Sequence, residues 1–103
     1  MMPVRDYREN LLERLRGNPS LVAEYLDAAL EDDIDTFLLA FRDVIDALGG
    51  GTQFSEQSGI RRESIYKMFR NGANPTLKTL KRALENANVR LKIVPKEDER
   101  LTA

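Results

Sequence analysis

Arg61, Arg62, Glu63, Tyr66, Lys67 and Arg70 fall within ten consecutive residues, and all carry charged or hydroxyl side chains. Arginine can pair with the O6 and N7 of guanine, and an acidic side chain can accept from cytosine N4. Lysine, a further arginine and a tyrosine hydroxyl can reach bases or phosphates. On a helical wheel centred on Ile65, the side chains of Glu63, Lys67 and Arg70 point outward, with Tyr66 at the flank. Arg61 and Arg62 fall on the exposed first turn, where the helix dipole disfavours positive charge. A solvated surface helix would also be charged, but solvation gives no reason for two arginines there. Entry of the N-terminal part of a helix into the DNA major groove does.

Other chemistries are poorly supplied. The chain has no histidine and no cysteine, which removes the common zinc sites, Ser-His-Asp triads, Cys-His dyads and disulfides. No enzyme activity, cofactor or metal is expected. Gly49-Gly50-Gly51-Thr52 lacks the Gly-Lys-Ser/Thr of a phosphate loop and any strand before it, so it reads as a helix stop followed by an N-cap. Glu31, Asp32, Asp33 and Asp35 lack the spacing of a calcium loop and read as a solvated, helix-capping break.

Charge is divided along the chain. Residues 1–58 hold five basic and twelve acidic side chains, whereas residues 59–94 hold nine basic ones against only Glu63 and Glu85. The formal net charge of −1 conceals this polarity, which suggests a polyanion partner for the second half or attraction between two oppositely charged surfaces. The polar start, Met1-Met2-Pro3-Val4-Arg5-Asp6, does not read as a signal peptide, and no apolar run approaches the roughly 20 residues of a membrane span. A cytoplasmic location is the expectation.

Helical elements must position the basic cluster. Tyr7, Leu11 and Leu15 predict one apolar face over Val4–Leu15. A stripe of Leu21, Val22, Tyr25, Leu26, Ala29 and Leu30 predicts a second helix. Phe37, Leu38, Phe41, Val44, Ile45 and Leu48 predict a third, with Asp33 and Asp35 as capping candidates. Thr52 is the expected N-cap of a short helix, Gln53 to Ser58, and a second short helix runs from Arg61 or Arg62 to about Arg70 after the break at Gly59. Asn71-Gly72-Ala73 forms a turn, and Asn74-Pro75-Thr76 opens the last helix, with Leu77, Leu80, Ala83, Leu84 and Ala87 inside. Val89 to Val94 alternates apolar and basic residues with period two, which predicts a short β-strand pairing with a partner's strand.

The two short helices carry a helix-turn-helix spacing. Ser55 is small enough for a close crossing, Gly59 tolerates positive φ, Ile60 plugs the gap, and Ile65, Met68 and Phe69 return to the interior. With the stretch from Gly51-Thr52-Gln53 through Ser55, Gly59-Ile60-Arg61-Arg62-Glu63-Ser64-Ile65-Tyr66-Lys67-Met68-Phe69 and Gly72-Ala73-Asn74-Pro75-Thr76-Leu77, the sequence resembles the addiction-module antidote proteins. These are λ-repressor-like, XRE-type helix-turn-helix proteins akin to the HigA-like antitoxins. Tyr25 to Asp32 and Val89-Arg90-Leu91 also fit, so the resemblance spans about Leu21 to Val94.

The resemblance implies an all-α, λ-repressor-like five-helix helix-turn-helix domain over 21–94 with a short C-terminal β-strand. An N-terminal helical extension occupies 1–20 and a flexible tail 95–103. It implies a transcriptional repressor that binds double-stranded operator DNA as a homodimer, binds a RelE/HigB-like toxin, and autoregulates a type II toxin–antitoxin operon. Arg61, Arg62, Glu63, Tyr66 and Lys67 would read bases; Thr52, Gln53 and Ser64 would contact phosphates. Arg70 and Lys78 are further DNA contacts, and Lys81 and Arg82 are equally well explained as solvated. The alternative is a protein-interaction module, or a stand-alone phage-type regulator without a toxin.

Overall fold

Apolar side chains spaced one helical turn apart generate three long helices, and the computed structural model, which describes residues 4–70 and 72–96, stacks them as the scaffold. These are α1 (Val4–Leu15), α2 (Pro19–Asp32) and α3 (Ile34–Ala47). Asn18 accepts from the Leu21 N–H ahead of α2, where Pro19 occupies the first turn at no hydrogen-bonding cost. Asp33 closes α2 and caps α3, accepting from the Thr36 N–H at 2.7 Å. That bond holds its carboxyl below the usual range. The acidic break is thus a capping turn.

α3 is the central element. Seven of its side chains are buried, among them Phe37, Phe41 and Val44. Phe41 stacks on Phe69 with centroids 4.4 Å apart and meets Phe37 and Phe54 edge-on. A single ring therefore joins the scaffold to the elements that follow: α4 (Gly50–Ser58), α5 (Arg62–Met68) and α6 (Leu77–Asn86). Leu15 of α1 is fully buried in the same core. None of the described helices is long and apolar enough to cross a membrane.

Several expectations need correction. The described residues are all-helical outside turns and coil, and Val89–Val94 forms no strand. A strand exists only through its ladder partner, and the single chain offers none. Thr52 is not an N-cap: α4 begins two residues earlier, after Gly49, with no side-chain cap. Tyr7 and Leu77, expected inside, are 69% and 65% exposed. Each lies near the start of its helix, beyond the neighbours that cover the rest of the apolar stripe. Asn71 of the expected turn and residues 97–103 of the expected tail lie outside the described residues.

Candidate nucleic-acid interface

The α4–α5 pair is built around one crossing. Gly59 ends α4 in the left-handed region, φ +77°, and its N–H returns to the Ser55 carbonyl. The Ser55 hydroxyl donates to the carbonyl of Ile60 at 2.5 Å, and the Ser58 hydroxyl accepts from the Ile60 N–H at 3.1 Å. The Gly59 N–H and both polar backbone groups of the buried Ile60 are therefore satisfied by α4 itself. Ile65 and Met68 anchor α5 from below, and Phe69 closes its end. With this inner face fixed, the outer face is determined.

That outer face carries the expected residues. Arg61, Arg62, Glu63, Ser64, Tyr66, Lys67 and Arg70 are all exposed, as are Thr52 and Gln53 on the first turn of α4 and Lys78 on the first turn of α6. Arg61 differs in detail from the expectation: it precedes α5 in extended conformation, so only Arg62 faces the dipole penalty. Glu63, one residue further, has the favourable sign there.

Tyr66 is positioned more firmly than a flank residue. Its ring packs on Gly51, where an added Cβ would come within 2.7 Å of the phenolic oxygen. The Arg62 guanidinium lies over the same ring, 5.9 Å from its centroid. Gly51, Tyr66 and Arg62 thus form a stack from α4 to the surface of α5. Gln53, by contrast, folds its amide back over Gly49, at the turn between α3 and α4.

Between α5 and the start of α6 lies an open cleft of about 750 Å³, lined by Ser64, Lys67, Arg70, Asn74, Thr76 and Thr79 among others. Thr76 caps α6 through the Thr79 N–H. Lys78 does not line this cleft. Among the described residues the basic side chains of α5 enter no ion pair, and the second half shows only Lys81–Glu85 at 4.0 Å. Unpaired cations around an open cleft, beside hydroxyls and amides, are suited to an anionic backbone.

Sequence reasoning missed three supports. Asp35, on the first turn of α3, accepts from the Gly72 N–H at 2.9 Å and so ties down the turn that follows α5. The hydroxyls of Thr76 and Thr79 complete the cleft. Gly51 permits the approach of Tyr66. The triple glycine carried a signal for the last, and Thr76 and Thr79 are a local capping pair, three residues apart; only the Asp35–Gly72 tie depends on a contact remote in sequence.

A family model described as "Probable addiction module antidote protein" matches residues 9–95. No curated protein and no solved structure matches the chain.

Proposed function

The chain belongs to the addiction module antidote family just described, and on that premise we propose that it acts as a sequence-specific DNA-binding repressor of its own operon. Its role as antidote in an addiction module implies a toxin partner. The finer reading is a HigA-like, XRE-type helix-turn-helix antitoxin that binds operator DNA as a homodimer and neutralises a RelE/HigB-like toxin.

One observation carries the DNA-binding part. The α4–turn–α5 unit buries Ile60, Ile65, Met68 and Phe69 while leaving every polar side chain of α5 exposed and its cations without an ion pair among the described residues. In this reading Arg61, Arg62, Glu63, Tyr66 and Lys67 face base edges. Thr52, Gln53, Ser64, Arg70 and Lys78 face the phosphates on either side.

A gel shift on the DNA upstream of its own reading frame tests this. Specific retardation is expected at low salt and should weaken steeply as salt rises, because phosphate contacts release counterions. Replacing Arg61 and Arg62 with alanine should remove the specific complex, each bidentate arginine contributing about 1–3 kcal/mol of discrimination. Protection of the same site by the double variant would refute the assignment of readers.

A further inference from the structure

Arg61 and Arg62 are neighbours in sequence but are held differently. Arg61 has an extended backbone ahead of α5, and its side chain has no ion pair or aromatic partner among the described residues. The Arg62 guanidinium lies over the Tyr66 ring, one helical turn away and 5.9 Å from its centroid. That ring is itself seated from behind. A Cβ built on Gly51 would stand 2.7 Å from the phenolic oxygen, 2.9 Å from Cζ and 3.3 Å from Cε2. The hydroxyl end of Tyr66 is therefore the end set against α4, where Gly51 is buried, although the residue as a whole is 49% exposed.

An arginine meets guanine O6 and N7 through the N–H groups of a planar fork. A ring beneath the cation restrains the side chain without consuming those donors. No carboxylate takes them either, because Glu63, the next residue, makes no ion pair among the described residues. A free surface arginine gives up its rotamer freedom when it docks on a base; one already held over a ring gives up less. We propose that Arg62 carries the main base discrimination of α5, and that Tyr66, seated on Gly51, is its positioning residue and reads no base itself. This rests on the DNA-binding reading above and narrows it: of the five residues set against base edges, Tyr66 acts through Arg62, and Arg61 lacks such a seat.

The test uses the full chain, the DNA upstream of its own reading frame, and copies of that DNA with each base pair of the protected site changed in turn. Arg62→Ala should erase a preference of about tenfold or more at one G·C pair. Tyr66→Leu should reduce the preference at that same pair about two- to fivefold and leave the other pairs as they are. Tyr66→Phe keeps the ring and drops only the hydroxyl, so it should behave as the wild type. In the Arg62→Ala background, Tyr66→Leu should change nothing further, since the side chain it acts through is gone. Without DNA, the δ-methylene protons of Arg62 should show an upfield ring-current shift, kept in Tyr66→Phe and lost in Tyr66→Leu. A loss of preference in Tyr66→Phe equal to that in Tyr66→Leu would make the hydroxyl a reader and overturn the proposal. Equal losses from Tyr66→Leu with and without Arg62 would overturn it too. A wild type that shifts no DNA, even with the ring-current shift present, would instead refute the DNA-binding reading and this inference with it.

Discussion

Helices α1–α3 and α4–α6 use their polar side chains in opposite ways. In the first group they bind one another. Arg8 forks between Asp43 and Asp46 at 2.5 and 2.6 Å, the Tyr25 hydroxyl donates to Asp43 at 2.7 Å, and Arg16 donates to the Ala47 carbonyl at 2.8 Å. In the second group the hydrogen-bonded side chains serve the turns and the cap of α6, Lys81 pairs only loosely with Glu85 along α6, and the cations of α5 project unpaired among the described residues. The lesson is a division of labour: the acidic half spends its charge holding helices together, and the basic half holds itself by apolar packing and keeps its charge for something outside.

The largest test of that division strikes the residue common to both halves. Phe41→Ala should cost about 3–5 kcal/mol, and urea unfolding should show both halves losing stability together, since its ring touches Phe37, Phe54 and Phe69. If α1–α3 melted separately, the two groups would be independent units. Next, Gly59→Ala forces a side chain into the left-handed region and should cost about 1–2 kcal/mol. Operator affinity should fall by more than stability alone explains, because the α4–α5 angle depends on that turn.

Smaller effects probe the acidic half. Arg8→Ala removes both ion pairs of a half-exposed side chain and should cost about 1 kcal/mol or less. It should leave DNA binding unchanged; a clear loss of binding would blur the proposed division. The slightest effect lies at alkaline pH. Burial, then the hydrogen bond to Asp43, pushes the Tyr25 hydroxyl up to about 12 from its ordinary value of 10.0. The associated stability is present below pH 10 and is lost as pH rises from 10 towards 12. Tyr25→Phe should flatten that decline in melting temperature; an equally steep decline would remove Tyr25 as its source.

Local rules made much of this legible. The expected Val4–Leu15 helix coincides with α1, the Asp33 cap was readable from its place before an apolar stripe, and Ser55, Gly59 and Ile60 announced their turn by type and spacing. Where the answer depended on distant partners, sequence patterns were silent or misleading. Arg8 and Asp43 are 35 residues apart, as Asp35 and Gly72 are 37, and no periodicity links them. Thr52 has a good capping side chain, yet the left-handed Gly49 lets the helix begin before it. Val89–Val94 has the alternation of a strand, but alternation specifies only faces, not the neighbour that completes the ladder. The candidate readers were legible because exposed charge on a helix follows from the position of its buried residues; the packing of Tyr66 on Gly51 did not follow.

That contact has a consequence for how the sequence can change. A methyl at position 51 would displace the Tyr66 ring, and a shorter side chain at position 66 would leave the first turn of α4 uncovered. The two sites therefore form one unit of variation. Among related chains, glycine at the first should accompany a large aromatic at the second, and drift at either should be matched by compensation at the other.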